Sequence, residues 1–185
     1  MTTIVYCHPY DKSFNHAILN AITDEFTAKG QEYDVINLYD EHFNPVLDSA
    51  GLELSFKGAT DDATVRRYQE TLRHTRHIIF IFPIWWGMMP AMLKGFMDRA
   101  FVKGRIYDIT DNGEIMPCLS VERTLIVTTS EGDSVDFGPF VSGYLAPMVL
   151  EPVGFGGCQW LDCQQTDSGS PEQRQEFIGE VLKRI

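Results

Sequence analysis

Residues 78–101 read IIFIFPIWWGMMPAMLKGFMDRAF, and this stretch decides the fold. The run 78–84 is apolar on both faces of an extended chain, which is typical of a central strand in a parallel sheet covered by helices. Pro90 then suits the first turn of a helix that follows. Trp85 and Trp86 occupy the connecting turn, where glycine, proline and small polar residues are usual. The stretch therefore predicts a βα unit with a large aromatic surface at the carboxyl end of its strand.

The same alternation of strand and helix continues along the whole chain. The predicted strands are 3–8, 33–38, 78–84, 124–129 and 158–164, and the predicted helices are 16–28, 61–75, 90–101, 139–151 and one that opens at Ser170-Pro171-Glu172. Ser13 is expected to cap the first helix and Gly30 to end it. Residues 104–121 are predicted to be irregular. Repeated βα units predict an α/β, flavodoxin-like three-layer sandwich whose five-stranded parallel sheet has the order 2-1-3-4-5, in one domain over 1–185.

Composition and charge exclude several classes of function. The formal net charge of −11 argues against a nucleic-acid partner, because phosphate backbones select surfaces rich in lysine and arginine. No apolar run approaches the roughly 18 residues of a membrane span, and the N-terminus does not read as a secretory signal. The four cysteines form no CxxC pair and no zinc-spaced cluster. We therefore expect a cytoplasmic protein with reduced thiols, not embedded in a membrane and without a metal.

Three loops follow the strands that surround the point where the predicted strand order reverses, and ligands bind there in open sheets of this kind. The first, 8–15, leads into a helix whose N-terminus attracts phosphate, with Ser13 and Asn15 as side-chain donors. The alternative is that Ser13 only caps the helix. No dinucleotide fingerprint and no Walker loop is present.

The second loop, 83–90, carries the two tryptophans, and a flat heterocycle needs such apolar faces for stacking. Alternatively, both rings only cover the end of the sheet or form a subunit contact. The third loop, 128–140, offers hydroxyls and a glycine, Gly132, that lets the backbone approach a ligand. The alternative is an ordinary polar loop. Together the loops indicate an aromatic ligand that carries a phosphate.

Three motifs in this order resemble the flavodoxin-2 family: HPYDKSFNHAIL at 8–19, PIWWGMMPAMLKGFMDRAF at 83–101 and the Thr-Thr pair that ends the fourth strand. The family includes NAD(P)H:quinone oxidoreductases of the DT-diaphorase type and ancillary oxidoreductases of potassium-efflux systems. The pattern P-x-x-W-x-x-x-P-A-x-L-K-G, from Pro83 to Gly95, is the most specific of the three. The resemblance implies a homodimer that binds FMN or FAD, and FMN is preferred here because the chain is short for the family.

The resemblance also implies residue roles, one match at a time. Flavin phosphate and ribityl contacts fall on His8, Ser13, Phe14 and Asn15. The segment along the isoalloxazine is Pro83, Ile84, Trp85 and Trp86, and the polar edge of the ring falls on Thr129, Ser130 and Glu131. Backbone N–H groups near Trp85, Trp86 and Gly87 are candidates for stabilising negative charge on the reduced ring.

The implied activity is a ping-pong cycle in which NAD(P)H reduces the flavin by hydride transfer and a quinone or similar small acceptor then reoxidises it. Ser130-Glu131 stand where mammalian-type members have Gly-Gly, and the region 131–144 has no histidine. No catalytic side chain is therefore assigned. Two alternatives stay open: an electron carrier like flavodoxin, and a flavoprotein regulatory subunit of a transporter.

Overall fold

A parallel five-stranded sheet forms the centre of the computed structural model, which describes residues 1–185. Its strands are β1 (Thr2–Tyr6), β2 (Tyr33–Asn37), β3 (His77–Pro83), β6 (Arg123–Thr129) and β7 (Cys158–Cys163). The order β2-β1-β3-β6-β7 confirms the predicted order 2-1-3-4-5, and every neighbouring pair is parallel. Strand β3 is buried from Ile78 to Pro83, as its two-sided apolar pattern predicts.

Helices cover both faces of the sheet. They are α1 (Phe14–Ala28), α2 (Ser49–Ser55), α3 (Ala63–Arg73), α4 (Ala91–Ala100), α5 (Ser134–Phe140), a π-helical segment (Val141–Leu150), a 3-10 turn (Glu151–Val153) and α6 (Pro171–Leu182). One apolar core joins α1 and α6 to the sheet, and a second joins α3, α4 and the π-helical segment to the opposite face. The chain therefore has the predicted three layers.

Local signals at helix ends are mostly confirmed. Ser13 caps α1 by accepting a hydrogen bond from the His16 N–H at 3.1 Å, and Gly30 takes a positive φ of 63° just after the helix. Ser170 caps α6 in the same way. Pro90 is the residue before α4 instead of its first helical residue, so that predicted start was wrong by one position.

Three elements differ from the sequence prediction. Residues 104–121 are not wholly irregular, because β4 (Tyr107–Ile109) and β5 (Ile115–Pro117) form an antiparallel hairpin. Helix α2 was not predicted. The helix expected at 139–151 begins earlier, at Ser134, and its hydrogen bonding changes to the π pattern from Val141. Pro139 lies inside α5 and Pro147 inside the π-helical segment, and neither has a backbone N–H to donate.

Gly95 in α4 packs directly against the loop that follows β2. A Cβ at this position would lie 2.6 Å from the Cα of Pro45, closer than real side chains approach a backbone. Arg99, one turn further along, donates a hydrogen bond to the Asn44 carbonyl at 2.7 Å and pairs with Asp62 at 2.9 Å. The glycine of the family motif is therefore required by packing, and the contact fixes the helix that follows the tryptophan turn.

Membrane-spanning helices are not part of this fold, since none of its helices has the length and apolar character to cross a bilayer. All four cysteines are free: Cys7 and Cys163 are buried, Cys158 is half-buried and Cys118 is exposed.

Candidate active site

A cleft of about 570 Å³ lies at the carboxyl edge of the sheet. It is bounded by the three predicted loops and by a fourth, 164–170, which follows β7. The sequence-predicted residues that line it are His8, Ser13, Phe14, Asn15, Pro83, Ile84, Trp85, Thr129, Ser130 and Glu131. Trp86 and Gly87 belong to the adjoining turn and do not line it. Tyr10, Lys12, Thr166 and Asp167 line it although the sequence analysis did not select them.

One end of the cleft is suited to an anion. It adjoins the N-terminus of α1, where the N–H groups of Phe14 and Asn15 have no acceptor in the protein. Lys12 lines the same end and pairs with no carboxylate. Free N–H groups, the helix dipole and a free cation together favour a phosphate or another anion. Ser13 also caps the helix, as its alternative interpretation predicted.

Asn15 joins the first loop to the third. Its side chain is only 2% exposed, and its Nδ2 donates to the Thr129 Oγ1 at 2.7 Å. The other amide atom, Oδ1, is buried without a partner. Buried polar atoms are almost always hydrogen-bonded, so this oxygen is an acceptor available to a water or to a ligand group in the cleft.

The tryptophan turn has the geometry of a two-residue hairpin. The Trp85 N–H donates to the Met88 carbonyl at 2.9 Å, and the Met88 N–H donates back to the Trp85 carbonyl at 3.1 Å. Both central residues have positive φ, 53° for Trp86 and 74° for Gly87, as in a type I′ turn. A positive φ is costly for a bulky side chain, and the Trp86 ring is fully exposed.

This turn corrects part of the sequence interpretation. The N–H of Trp85 is already used within the turn, so the N–H groups without an acceptor are those of Trp86 and Gly87. The side chain of Trp85, 39% exposed, contributes the aromatic wall of the cleft. Its ring meets the His8 ring edge-on, with centroids 5.9 Å apart.

His8 is held in one tautomer. Its Nδ1 accepts a hydrogen bond from the Tyr10 N–H at 3.1 Å, so the neutral ring carries its proton on Nε2. Burial lowers the pKa of His8 below its ordinary value. At neutral pH the ring is therefore uncharged and offers an N–H donor.

This lowered pKa gives a pH prediction. Above about pH 6.5 both folded and unfolded chains hold His8 neutral, and its contribution to stability is complete. As the pH falls from there through the lower folded pKa, the unfolded chain takes up the proton more readily and that contribution is lost. We expect His8→Asn to lose less thermal stability than the unmodified protein between neutral and acidic pH. If the melting temperatures of the two proteins fell by the same amount between neutral and acidic pH, this role for His8 would be contradicted.

Glu131 ties the third loop to the fourth. Its carboxylate accepts hydrogen bonds from the Asp167 N–H and from the Ser168 hydroxyl, the latter at 3.0 Å. The bond from the Asp167 N–H lowers the pKa of Glu131, so the group is a carboxylate at neutral pH. Thr166 adds a bond from its N–H to the Ser130 carbonyl at 2.9 Å. These contacts bring Thr166 and Asp167 to the cleft.

Asp162, near the end of β7, binds the third loop through hydrogen bonds. Its carboxylate accepts hydrogen bonds from the hydroxyls of Thr128 at 2.6 Å, Ser130 at 2.9 Å and Ser134 at 2.7 Å. Gly132 was expected to let the backbone approach a ligand. Instead, a Cβ there would lie 2.9 Å from the ring of Phe137, so the space that glycine leaves is used for packing.

Two signals could have identified the missed lining residues. Lys12 is the only lysine or arginine in the first loop and directly precedes the helix cap. Thr166 and Asp167 follow the last strand, whose carboxyl end meets the same edge of the sheet as the others.

Comparisons with known proteins show the family and the fold of the chain. A family model described as a flavodoxin-like fold matches residues 1–185. Human ribosyldihydronicotinamide dehydrogenase (quinone) is 31% identical over 208 residues, which cover 98% of this chain and 89% of that protein. A solved structure from Streptococcus mutans UA159 superposes with a TM-score of 0.83 at 30% identity and covers 99% of this chain and 97% of its own. An FMN-dependent NADH-azoreductase from Bacillus anthracis, solved in complex with FMN, shares the fold with a TM-score of 0.76 at 17% identity, covering 99% and 96%.

Proposed function

The chain belongs to the flavodoxin-2 family, whose model it matches throughout, and from this premise we propose that it is a flavin-dependent NAD(P)H:acceptor oxidoreductase. Quinones or similar small molecules are the proposed acceptors, since the human relative is named a quinone dehydrogenase. The observation that carries the proposal is one cleft that joins an anion-binding helix N-terminus to an aromatic wall. Residues 1–185 are proposed to act as one flavin-binding domain.

The residues of the cleft fit the parts of a flavin mononucleotide. Lys12 and the free N–H groups that open α1 suit its phosphate, and the unpaired Oδ1 of Asn15 suits a hydroxyl of the ribityl chain. Ile84 and Trp85 suit the apolar faces of the ring, and Ser130 and its neighbours suit the polar edge. FMN is the proposed cofactor and FAD the alternative.

A bound flavin would supply the redox chemistry, hydride transfer between NAD(P)H and the acceptor. The protein orients the reactants and stabilises charge. The N–H groups of Trp86 and Gly87, in the turn that adjoins the cleft, have no acceptor, and they are proposed to stabilise negative charge at the edge of the ring. Trp85 excludes water from one wall, and neutral His8 offers its Nε2–H as a donor. In the proposed ping-pong cycle, donor and acceptor use the same space in turn.

A homodimer is proposed because several large apolar side chains lie exposed on the surface. Met88 of the tryptophan turn, Met116 of the hairpin, and Tyr144 and Met148 of the π-helical segment are between 48% and 62% exposed. Such side chains are the kind that subunit interfaces bury. Sedimentation at several concentrations should show a two-subunit particle.

Turnover with a panel of quinones, using NADH and NADPH as separate donors, tests the proposed activity. The expected result is flavin-dependent oxidation of the donor with parallel double-reciprocal lines, the kinetic signature of a ping-pong cycle. A flavoprotein that exchanges electrons only with a protein partner, without quinone turnover, would instead support the electron-carrier alternative. The net charge of −11 is the observation that favours that alternative.

The strained turn yields a further prediction. Trp86→Gly should raise the free energy of unfolding by about 0.5 kcal/mol, because glycine adopts positive φ without the steric cost that tryptophan bears there. The same change should lower acceptor turnover more than flavin retention, because the strained turn adjoins the cleft and backbone strain clusters beside functional sites. Phe56→Ala is the control. It removes another exposed aromatic ring, one that does not line the cleft, and should leave turnover unchanged. Intact turnover in Trp86→Gly, with loss of the dimer alone, would show that the ring serves only as a subunit contact.

A further inference from the structure

A second cleft, of about 320 Å³, lies on the outer side of α3 and shares no residue with the candidate active site. It has no apolar lining. Its walls are Arg66, Arg67, Gln69, Glu70 and Arg73 from α3, and Arg105 from the segment that follows α4. Positions 66, 70 and 73 are neighbours on one face of α3, so helix periodicity places Arg66 and Arg73 on the same side. The segment after α4 packs beside this face and adds Arg105. We call this set of residues the arginine cleft.

Backbone carbonyls hold two of these side chains in place. Arg66 donates from Nη1 to the Thr60 carbonyl at 2.8 Å, and Arg105 donates from Nε to the Gly58 carbonyl at 3.3 Å. The backbone of Gly58 packs closely against that of Lys103. A Cβ on Gly58 would lie 2.9 Å from the Lys103 carbonyl oxygen. A guanidinium has five N–H donors, so each of these arginines keeps donors free for a ligand.

The arginine cleft keeps a net positive charge, because its four arginines meet only one carboxylate of the cleft, Glu70, and one outside it, Glu41. Arg67 pairs with Glu41, which lies outside the cleft, and Glu70 bonds to His74 at 2.9 Å. Arg66 and Arg105 contact only carbonyl oxygens, and Arg73 makes neither a hydrogen bond nor an ion pair. This concentration of positive charge is notable in a chain whose net charge is −11.

We propose that the arginine cleft binds a small molecule through a phosphate group that carries two or more negative charges. Planar guanidinium groups match phosphate oxygens with paired, charge-assisted hydrogen bonds, and several converging arginines favour a multiply charged group. The absence of aromatic and apolar lining means that the phosphate portion, and not an attached ring, is recognised. The proposal does not depend on the assignment of the active site.

Titration calorimetry with inorganic pyrophosphate, at constant ionic strength and on protein preloaded with FMN and then freed of excess flavin, tests the proposal. The FMN fills any phosphate site beside α1, so the heat reports other sites. We expect saturable binding to the unmodified protein and an affinity about tenfold lower for Arg73→Gln and for Arg105→Gln. Arg123→Gln is the matched control, since Arg123 belongs to a different polar cleft at the amino edge of the sheet.

Three results would overturn the proposal. One is the absence of saturable binding by the unmodified protein. Another is equal affinity in all three variants, and the last is loss of binding in Arg123→Gln alone, which would place the anion at the other cleft. Thermal melting without ligand checks that each variant is folded. In the first of these cases, binding of an acidic peptide to the arginine cleft would show that its occupant is a protein segment.

Discussion

Gly95→Ala is expected to lower the free energy of unfolding by about 3 kcal/mol, the upper end of the range for overpacked cores. The added methyl group would meet the backbone of Pro45, which cannot move aside as a flexible side chain can. Any shift would also strain the bond from Arg99 to the Asn44 carbonyl and the largely buried Arg99–Asp62 pair. Chemical denaturation of the purified protein measures the effect.

Gly179→Ala is the matched control for this change. Gly179 also lies inside a helix, α6, but a Cβ there has nothing within 4 Å. Alanine should therefore stabilise the protein by about 0.5 to 1 kcal/mol, because glycine is the poorer helix former. If both variants shifted stability equally, helix propensity and not the contact with Pro45 would explain the motif glycine.

Asn15→Asp is expected to weaken FMN binding about a hundredfold while the protein stays folded. The substitution keeps the size of the side chain and its ability to bond to the Thr129 hydroxyl. It adds a largely buried negative charge beside the end of the cleft that is proposed to hold the phosphate. Quenching of FMN fluorescence during titration measures the dissociation constant.

Asn20→Asp adds the same charge to the same helix at an exposed position. It should change FMN affinity by less than about twofold, because charge at an exposed surface is well screened. Riboflavin lacks the phosphate, so its affinity should fall less than that of FMN in Asn15→Asp. Equal losses for the two flavins would place the phosphate elsewhere.

The sequence predicts the sheet well because its buried strands are recognisable as runs of apolar residues. The run 78–84 is apolar on both faces, and helical periodicity separates it from the next strand, so strand number and order follow from general rules of α/β folds. The hairpin at Tyr107–Pro117 was missed because its strands have three residues each and most of their side chains are exposed or half-buried. The π-helical segment was missed because an apolar helical pattern does not distinguish the rare π hydrogen bonding from α-helical bonding.

The candidate site was predictable where it depends on position along the chain. The first and third loops follow their strands directly, and their residues line the cleft. The contribution of the fourth loop depends on the contacts of Glu131 with Asp167 and Ser168, which join residues far apart in sequence. The placement of Trp86 outside the cleft follows from the reciprocal bonds between Trp85 and Met88, which residue composition does not reveal.

Anaerobic addition of NAD(P)H to the purified protein, preincubated with FMN and then freed of excess flavin, tests the central claim most directly. The claim is that the cleft at the carboxyl edge of the sheet holds a flavin that a nicotinamide donor reduces. The predicted result is a yellow protein whose flavin absorbance bleaches on addition of the donor and returns when a quinone is added. A colourless protein that retains neither FMN nor FAD would contradict it.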